Sequence, residues 1–586
     1  SVACLSFALV SLSMRLYIPL LVLPASVSGQ IFDVVVIGAG PAGLSTVRHL
    51  QETTNLSVTL LDRSDRGGGR VQTIKKAHAA RGQAVGVDVG PAWIHYGTAN
   101  PLTYLAGEGN CHMVRTQNLN MNVYAAGKLV PRSVVLDMLH LLESEIEPGY
   151  TWWRDRKEKD KNAQDASLLS VFQEVFVRRN LSLSSEQEAA FAALLYGEII
   201  EDWTAPLHEL SASRHCEYDS VDGVGSDWRV LEGMDCIVQQ MLDVSRFPNF
   251  KKNHHVRKIQ LLPSLVQVQG ENWTVFGRTA VLALPLGELK DGHVAVEPLP
   301  EWKRKSWEQL GLGRAIRAAL EFAEPFWPSD VEFFMDFVTN CSTNLLEDID
   351  LCTLEFTAPV FGTYPPVLVA EADGRLAERL TKESDTKVVS FLWGRLRDMF
   401  GKEIPYPIET SVLRPWGLPF WLANSSGRTA ALEAGKPIDG RLFFAGDYVS
   451  HNVGTVAGAF LSGIQSAHAV SCTLLNVGLQ LESLPSIASM MDAGCAVLRI
   501  RQEGRCNISL WDVLYSCSSL ARLEDESGRT CFVQGHDDWH ASTVRKCLQF
   551  LQRSFAAPVA TLQGGARALF SWARSWTKDT SRRFEI

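Results

Sequence analysis

The sequence of 586 residues predicts an α/β fold with a parallel central sheet, interleaved with a second, α+β domain. Two observations support this prediction. A glycine-rich turn follows an apolar run at 33–43, and a strand, turn and helix pattern at 441–472 completes the same sheet. The length also exceeds what a single core usually supports, so two or more domains are expected.

The block at 33–43 (DVVVIGAGPAG) is the most specific signal. Its apolar, β-branched run predicts a buried parallel strand. Gly38 permits the tight turn, Gly40 lets the backbone approach a pyrophosphate, and Gly43 allows close packing of the next helix. Asp62 ends the second strand about 20 residues later, where an acid holds a ribose hydroxyl pair. Together these features predict a Rossmann-like dinucleotide-binding unit.

A second glycine cluster distinguishes between dinucleotides. The block at 62–70 (DRSDRGGGR) contains Arg63, Gly69 and Arg70. Arginines beside a glycine loop suit the phosphates or the ribityl chain of a large cofactor that lies along the crevice. The block therefore favours FAD over NAD.

Two further blocks lie at 88–95 (DVGPAWIH) and 441–447 (RLFFAGD). The second reads as a strand that ends in a turn, and a helix follows it. The backbone donors at the start of that helix, Thr455 and Val456, would face polar flavin atoms, where the positive end of the helix dipole stabilises negative charge on reduction.

Together the four blocks resemble the flavin-containing amine oxidases, the family of monoamine oxidases, polyamine oxidases and lysine-specific histone demethylases, with polyamine oxidases as the nearest group. Alone, the last block also resembles the ending of carotenoid desaturases, but the block at 88–95 favours amine oxidases. The resemblance covers about residues 31–472. It implies FAD-dependent oxidation of a polyamine-like amine to an imine or aldehyde, with dioxygen reduced to hydrogen peroxide.

The resemblance also implies site residues. His95 faces the substrate, and Gly90 to Trp93 line the flavin ring. No cysteine lies in the segment before the last block, so the FAD is expected to be noncovalent. The implied cofactor-binding residues are Gly38, Gly40, Pro41, Ala42, Gly43, Asp62, Arg63, Gly69, Arg70, Gly90, Pro91, Ala92, Trp93, Val256, Trp416, Gly446, Asp447, Thr455 and Val456.

The sequence departs from the family pattern at the predicted catalytic centre. In the stretch 310–322, Arg317 stands where the family has a lysine that reaches the flavin through water. Arginine stays protonated and can stabilise charge, but it lacks the small geometry and the proton chemistry of lysine. Asp447 replaces the usual glutamate, and the paired aromatic cage is altered, with Phe420 or Trp421 as substitutes or as core residues.

These departures leave two alternative functions. The first is an L-amino-acid oxidase on the same scaffold, which needs an arginine for the substrate carboxylate; Arg317 is a candidate if it reaches the cavity. The second is a flavin-binding protein with weak or no turnover.

The resemblance also implies which segments of the chain form each domain. The segment 228–233 resembles the point at which the chain of the family returns to the cofactor domain, and the buried strand at 279–287 belongs to the same domain. The segment 157–162 is expected to form a charged turn, and the segment 185–195 is expected to form a helix. The predicted segments are 1–30 for a presequence, 31–100, 226–298 and 406–472 for the FAD-binding domain, 101–225 and 299–405 for the substrate-binding domain, and 473–586 for a helical, cysteine-containing extension.

Composition limits the partners. A formal charge of −9 argues against nucleic-acid binding and is compatible with an acidic entrance for cationic amines. None of the 12 cysteines shows the close paired spacing of a zinc site, so no metal is expected. The expected partners are a small-molecule amine and dioxygen, while the oligomeric state stays open.

The N-terminal segment 14–29 combines one arginine, a short apolar run and a small-residue end, the layout of a secretory signal. It predicts a secreted or lumenal protein, with an organelle transit peptide as the alternative. Disulfides are expected if the chain is exported. The end at 566–576 alternates apolar and basic residues, which suits either membrane contact or an ordinary packed terminus. Possible N-glycosylation sites are Asn55, Asn180, Asn272, Asn340, Asn424 and Asn507.

Overall fold

The structure is a computed structural model. It describes residues 30–78, 83–95, 100–116, 120–146, 165–212, 227–242, 249–339, 341, 344–358, 366–414, 416–423, 427–450 and 452–475, and the segments 497–499, 520–524 and 530–534. The predicted presequence up to residue 29, the charged turn at 157–162, the terminal segment at 566–576 and three of the glycosylation sites lie outside these residues.

The described strands alternate with helices along the chain. They are β1 (Ile31–Ile37), β2 (Val58–Leu61), β3 (Thr73–His78), β4 (Gln83–Asp88), β5 (Trp93–Ile94), β6 (Met113–Arg115), β7 (Met121–Ala125), β8 (Lys128–Leu129), β9 (Trp228–Val230), β10 (Phe250–Lys251), β11 (Lys258–Leu261), β12 (Val266–Gln269), β13 (Thr274–Leu282), β14 (Ala295–Glu297), β15 (Leu310–Glu321), β16 (Phe333–Phe337), β17 (Thr353–Thr357), β18 (Val367–Asp373), β19 (Glu409–Leu413), β20 (Trp416–Trp421), β21 (Leu442–Phe444), β22 (Val497–Arg499), β23 (Leu520–Glu524) and β24 (Thr530–Gln534).

The described α-helices are α1 (Pro41–Thr53), α2 (Pro101–Glu108), α3 (Arg132–Leu141), α4 (Leu168–Arg179), α5 (Ser185–Leu195), α6 (Glu201–Trp203), α7 (Asp235–Met241), α8 (Leu286–Lys290), α9 (Glu301–Glu308), α10 (Leu345–Cys352), α11 (Gly374–Leu380), α12 (Asp385–Phe400), α13 (Gly427–Gly435) and α14 (Val456–Leu474). None of these helices combines the length and the apolar character that crossing a bilayer requires.

The first large sheet has the strand order β10-β2-β1-β13-β12-β11-β14, and β21 also pairs with β13. Its centre is parallel, because β1 pairs in parallel with both β2 and β13. Val34, Val35 and Val36 of β1 are fully buried, as expected for a parallel strand covered on both faces. The predicted Rossmann-like sheet is therefore confirmed.

Helices α1 and α14 pack against each other over this sheet because a glycine lies at their contact. A Cβ atom on Gly463 would lie 2.1 Å from the carbonyl oxygen of Ala42. Thr46 of α1 donates its hydroxyl to the carbonyl oxygen of Gly463 at 3.0 Å. This contact joins α1 to α14, the helix that ends the region resembling the amine oxidases.

The second large sheet has the order β19-β15-β18-β17-β16-β7-β8, and β20 also pairs with β15. It is mostly antiparallel, and helices pack beside it, which confirms the predicted α+β companion. Helix α5 has the predicted bounds, Ser185–Leu195. Ser184 begins it with a capping box to Gln187, and a π-helical turn, Tyr196–Ile200, follows it.

The sheet topology places the last domain crossing later than the predicted boundary at residue 406. Strands β19 and β20 both pair with β15 and therefore belong to the second sheet. The cause is the length of β15, which spans 12 residues and has an irregularity between Leu312 and Arg314. The chain returns to the first sheet at β21.

The expected helical character of the extension after residue 473 is wrong for its described segments. Strands β22, β23 and β24 form a small sheet in which β23 and β24 pair in antiparallel fashion. Thr530–Gln534 is rich in residues that favour strands.

Candidate active site

A cavity of about 1230 Å³ lies between the two large sheets. Drug-sized ligands usually occupy about 300–1,000 Å³, so this cavity has room for a large cofactor with a small substrate. The predicted site residues on its wall are Gly38, Gly40, Pro41, Ala42, Asp62, Arg63, Gly69, Arg70, Gly90, Pro91, Ala92, Trp93, His95, Val256, Arg317, Gly446, Asp447, Thr455 and Val456.

Two of the predicted cofactor-binding residues are not among the described residues that line the cavity. Gly43 packs behind the glycine turn and does not line the cavity. Trp416 begins β20 opposite Arg314, and its side chain is outside the described part of the structure. The cofactor contact predicted for Trp416 stays a prediction.

The three glycines of the turn have different surroundings. Gly38 has φ +102°, and a Cβ atom there would lie 2.3 Å from the carbonyl oxygen of Ala283. A Cβ atom on Gly43 would lie 1.8 Å from the carbonyl oxygen of Gly38. At Gly40 a Cβ atom would meet nothing within 4 Å. Gly38 and Gly43 are thus required by packing, whereas Gly40 leaves open space on the cavity wall for a ligand.

Two helices begin at this wall. Pro41 is the first residue of α1, which suits its missing N–H group, and Gly40 precedes it. Thr455 caps α14, and its hydroxyl oxygen accepts the N–H of Gly458 at 2.9 Å. The first N–H groups of a helix have no partner within the helix, so both ends favour a negatively charged ligand.

Asp62 connects β2 to the glycine turn. One of its oxygens accepts the N–H of Ala39 at 2.7 Å, and the other accepts the N–H of Ser64 at 2.8 Å. Asp62 also lines the cavity, where its role toward a ribose stays a prediction. Arg63 is half exposed at the cavity rim and pairs with the buried carboxylate of Glu288.

Arg70 and Asp447 bring two distant sequence blocks together. The guanidinium of Arg70 donates to Asp447 at 2.7 Å, and Asp447 is 3% exposed. The loop before Arg70 is fixed to the turn by the N–H of Gly68, which donates to the carbonyl oxygen of Ala39 at 2.7 Å. We call Gly38–Gly43, Asp62, Arg70 and Asp447 the glycine-turn end of the cavity.

The wall between Gly90 and Trp93 packs directly on this loop. A Cβ atom on Gly90 would lie 2.2 Å from the carbonyl oxygen of Arg70. Trp93 stacks with Phe333 of the second sheet, with ring centroids 6.2 Å apart, and both rings line the cavity. Val256, buried in the core, also reaches the wall.

The far end of the cavity carries carboxylates that the sequence did not reveal. Glu201 and Glu355 belong to elements of the substrate domain, α6 and β17. Burial raises the pKa of each carboxyl group, and their mutual repulsion raises that of Glu201 further. The carboxylates on this wall are Glu198, Glu201, Asp202, Asp227 and Glu355. We call these five residues with His95 and Arg317 the acidic end.

A local signal for part of this set exists in the sequence. The segment 197–202 (GEIIED) places acids directly after the alanine-rich helix α5. Glu198 and Glu201 are three residues apart, a spacing that brings helical side chains to one face. The π-helical turn that contains Glu198 is a type of irregularity frequent at functional sites. Glu355 has no comparable signal, because only the strand order brings it here.

His95 follows β5 and is partly buried at the acidic end. Its Nδ1 lies 3.3 Å from a carboxylate oxygen of Asp227. Burial alone would lower the pKa of His95, but the hydrogen bond to Asp227 and the charges of Asp227 and Asp202 raise it above its usual value. The imidazole is therefore available as a cation beside the substrate region.

Arg317 lines the cavity and forms an ion pair with Glu371, the residue opposite it on β18. Glu201, Glu355 and Glu371 offer carboxylate oxygens that all lie within 4.8 Å of one another. Burial raises the pKa of nearby Asp373 to about 7, although Arg317 opposes this. Arg317 is thus part of a buried charge network and not an exposed surface ion pair.

The aromatic residues proposed as cage substitutes lie in the core. Phe420 is 1% exposed and packs over Gly311, where a Cβ atom would lie 2.3 Å from its ring. Trp421 is also buried and contacts Trp203, with ring centroids 6.0 Å apart. Neither is among the described residues that line the cavity.

One disulfide connects two distant segments of the chain, and a second disulfide lies within the substrate domain. Cys111 is bonded to Cys236 across 125 residues, and Cys341 is bonded to Cys352. The first bond joins the segment after α2 to helix α7 beside the cofactor domain. These two pairs are the disulfides of the described residues.

The cavity suits FAD on its own geometry. Two helix N-termini and the open side of Gly40 provide a place for a pyrophosphate. Asp62, Arg63, Arg70 and Asp447 provide polar groups along the same wall. The volume continues past Trp93 to the acidic end, where a substrate would lie against the reactive part of the cofactor.

Fold and site define a flavin-dependent oxidoreductase with a separate substrate domain. The sequence profile described as flavin containing amine oxidoreductase matches residues 41–471, and the chain belongs to this family. The predicted family, its FAD cofactor and its amine-oxidising activity are thereby confirmed.

Curated relatives include polyamine oxidases and histone demethylases. The chain is 29% identical to polyamine oxidase 2 of Arabidopsis thaliana over 459 residues, which cover 74% of this chain and 87% of that protein. It is 26% identical to lysine-specific histone demethylase 1B of Mus musculus over 462 residues, which cover 75% of this chain and 53% of that protein.

Solved structures share the fold. Cyclohexylamine oxidase from Brevibacterium oxydans IH-35A superposes with a TM-score of 0.57 at 18% identity, covering 75% of this chain and 99% of that one. A putrescine oxidase, wild type bound to putrescine, superposes with a TM-score of 0.56 at 18% identity, covering 75% and 98%. At this identity the likeness concerns the fold alone.

Proposed function

We propose that this amine oxidase acts on small amines that carry more than one positive charge, of the polyamine class. The observation that supports the proposal is the acidic end, where five carboxylates lie with His95 and Arg317 on the cavity wall; Arg115, Arg132 and Arg414 also line the cavity. Bound FAD would accept a hydride from the carbon next to the amine nitrogen, and dioxygen would reoxidise it to give hydrogen peroxide. The organic product is an imine, which water converts to an aldehyde.

The charge balance at the acidic end argues for a polycation. Arg317 pairs with Glu371, so it compensates a carboxylate outside the five on the wall. Burial raises the pKa of Glu201 and of Glu355, while the charge of Arg317 lowers both, so a further cation beside these carboxyl groups would favour their ionised form. A substrate ammonium would supply this positive charge. The names of several relatives, polyamine oxidases and putrescine oxidase, support the same substrate class.

His95 and Arg317 are the residues that we propose to act near the reacting amine. His95 with Asp227 would control the charge next to the substrate nitrogen. Arg317 would stabilise negative charge that develops on reduction. Arg317→Lys is expected to change the rate of reoxidation by dioxygen, measured by stopped flow after anaerobic reduction. An unchanged rate would remove Arg317 from the proposed mechanism.

An L-amino-acid oxidase is the less favourable assignment. Arg317 does reach the cavity, as that alternative requires, but Glu371 already occupies its guanidinium. A substrate carboxylate would also meet Glu201 and Glu355. Like charges at this distance oppose binding.

The test is anaerobic mixing of the FAD-loaded protein with spermine, spermidine, aryl amines and L-amino acids while flavin absorbance is followed. Bleaching by spermine and spermidine is the expected result. Bleaching by L-amino acids alone would overturn the substrate assignment, and no bleaching with FAD bound would point to a protein with weak or no turnover.

Glu355→Gln sharpens this test. A hydrogen bond to a charged group contributes about 1.5–3 kcal/mol, so kcat/KM for spermidine should fall about 10- to 100-fold. The value for benzylamine, which has a single nitrogen, should change much less. Glu378→Gln is the matched control, because Glu378 is an exposed acid on α11 that pairs with Lys382 and is not among the described residues that line the cavity. Equal losses for both amines would contradict the role of the acidic end.

We also infer that the protein enters the secretory pathway. The two disulfides and the exposed positions of Asn55, Asn180 and Asn272 support this inference. Expression in eukaryotic cells should yield protein whose mobility shifts on treatment with peptide N-glycosidase. An unglycosylated product in an organelle fraction would favour the transit-peptide alternative.

A further inference from the structure

Arg229 is a buried arginine at the junction of the two domains. It lies on β9, directly opposite Trp93 of β5 in an antiparallel pair, and is 8% exposed. Its guanidinium carbon lies 4.5 Å from the centroid of the Trp93 ring and 5.7 Å from that of Phe333. We call Trp93 and Phe333 the aromatic wall, because both rings line the cavity.

The substrate domain holds this guanidinium in place. Arg229 lies 3.3 Å from a carboxylate oxygen of Glu332, the residue before Phe333, and donates to the carbonyl oxygen of Ala358 at 3.0 Å. It also lines a void of about 20 Å³. Arg229 therefore links the strand that carries Trp93 to the strand that carries Phe333.

The position of Arg229 has an electrostatic consequence for the aromatic wall. The π face of an indole attracts one cation at close range, and here the guanidinium is already beside it. A second cation brought to the same rings meets the charge of the guanidinium as well as the attraction of the rings. A neutral amine does not meet this repulsion.

We propose that Arg229 is a positioning residue that fixes the aromatic wall and lowers its affinity for a protonated amine, so that the nitrogen to be oxidised stays uncharged at the wall. The proposal rests on the proposed amine-oxidase function and adds a residue that discriminates between the two protonation states of the substrate. Hydride removal requires the neutral amine, whose nitrogen lone pair supports the developing imine.

Other charges face Arg229 from the neighbouring elements and set the size of the effect. The carboxylates of Glu332, Asp88, Glu355 and Glu201 attract the guanidinium. Arg317 and Glu371 line the same small void as Arg229. Because these groups partly neutralise Arg229, we expect a several-fold effect on binding.

The first experiment measures binding of a fixed charge and needs bound FAD but no turnover. Perturbation of flavin absorbance gives the Kd of hexyltrimethylammonium, with heptan-1-ol as the uncharged comparison. Arg229→Gln should bind the ammonium about five-fold more tightly relative to the alcohol. Arg229→Lys keeps the charge but not the planar stacking, so it should keep the ammonium-to-alcohol ratio of the wild type while weakening both.

Arg395→Gln is the matched control. Arg395 pairs with the buried carboxylate of Asp336 on β16, the strand of Phe333, but it is not among the described residues of the cavity. Its loss removes a comparable ion pair without touching the aromatic wall. An unchanged ratio in Arg229→Gln, or the same change in Arg395→Gln, would overturn the proposal.

The second experiment is the pH profile of anaerobic flavin reduction. Arg229→Gln removes a positive charge, so the bound amine should keep its proton to higher pH, and the rising limb should move upward by about half a unit. A merely structural role would lower the rate without moving this limb. If no amine reduces the wild-type flavin, the proposed function fails, but the fixed-charge measurement still tests Arg229.

A second variant tests the proposal if Arg229→Gln folds poorly. The double variant Arg229→Met/Glu332→Met removes both partners of the ion pair, an exchange that is often neutral for stability. Because Arg229 is the member of the pair that contacts the rings, the ammonium should still bind more tightly relative to the alcohol, by about two-fold. Weaker relative binding of the ammonium would contradict the proposal.

Discussion

The two ends of the cavity are built by different means. The glycine-turn end relies on backbone: an open Gly40, two helix N-termini and an acid that accepts the N–H of Ala39. The acidic end relies on charged side chains from α6, β15, β17 and the loop after β5. A backbone site suits a cofactor of fixed chemistry, whereas a side-chain site can change its substrate through single substitutions.

The difference extends to electrostatics. At the glycine-turn end, Arg70 and Asp447 form a closed pair at 2.7 Å. At the acidic end, carboxylates outnumber cations, and burial raises the pKa of Glu201 and of Glu355. At the glycine-turn end the two charged side chains neutralise each other, whereas at the acidic end we propose that a cationic ligand adds positive charge.

Gly43→Ala is expected to have the largest effect. Its Cβ atom would lie 1.8 Å from the carbonyl oxygen of Gly38, so α1 would have to move away from the sheet. Overpacking typically costs about 1–3 kcal/mol, and the upper part of this range is expected here because the new atom would meet backbone. Gly40→Ala meets no atom within 4 Å, so folding should change by less than about 0.5 kcal/mol while FAD affinity falls.

Thermal unfolding of the FAD-free protein and titration with FAD separate the two glycine effects. Gly40→Ala with wild-type affinity for FAD would show that the pyrophosphate does not approach this position. Gly43→Ala with wild-type stability would show that α1 can adjust at little cost.

Arg317→Gln is expected to have the next largest effect, at the acidic end. It leaves Glu371, which is 3% exposed, without its partner guanidinium. Removing one member of a buried ion pair costs about 3 kcal/mol, less where water can enter from the cavity. The loss should shrink at acidic pH, because protonation of an unpaired buried carboxyl group removes the cost of burying its charge.

Denaturant unfolding at pH 5 and pH 8 checks the Arg317 prediction. Arg317→Lys is the control that keeps the charge, and it should lose less stability than Arg317→Gln. Equal losses at both pH values would mean that Glu371 is not left as an ionised buried group.

Asp447→Asn should have a smaller effect on folding. Arg70 is 27% exposed and can be solvated when the carboxylate is lost, so a loss of about 1–2 kcal/mol is expected. Arg278→Gln is the comparison, because Arg278 pairs with Asp33 at the surface and should cost less than about 1 kcal/mol. Urea unfolding of the two variants gives both values, and equal losses would contradict a special role for the buried pair.

The sequence predicted the glycine-turn end because its signals are local. Gly38, Gly40, Gly43 and Asp62 lie within one strand-turn-helix-strand unit, and the helix at Val456 follows its own turn and cap. The prediction also placed Arg317 in the cavity. Its partner Glu371 depends on the register of β15 against β18, which no local pattern encodes.

The carboxylates of the acidic end, unlike His95 and Arg317, are not predicted by the sequence, for the same physical reason. Glu355 and Arg229 lie on strands whose positions follow from long-range pairing, and each reads in sequence as an ordinary charged residue. The predicted domain crossing at residue 406 is too early because β15 is long enough to pair with β19 and β20 as well as with β18. The extension is predicted to be helical, but its described segments Leu520–Glu524 and Thr530–Gln534 pair as antiparallel strands.

His95→Gln gives the smallest expected effect and the one that depends most on pH. The folded-state pKa of His95 lies above its usual value because Asp227 and Asp202 outweigh burial. Its stabilising contribution is therefore fully present below the unfolded pKa of about 6.5 and is lost as the pH rises through the folded pKa. Because His95 is partly exposed, the contribution is a few tenths of a kcal/mol.

The Tm of His95→Gln should fall below that of the wild type at pH 5.5 and match it at pH 9. Asp227→Asn should weaken this pH dependence, because it removes the hydrogen bond and the charge that do most to raise the pKa of His95. A Tm difference that is the same at both pH values would show that the acidic end does not hold a histidine cation, and the contrast with the closed ion pair of the glycine-turn end would then rest on Glu201 and Glu355 alone.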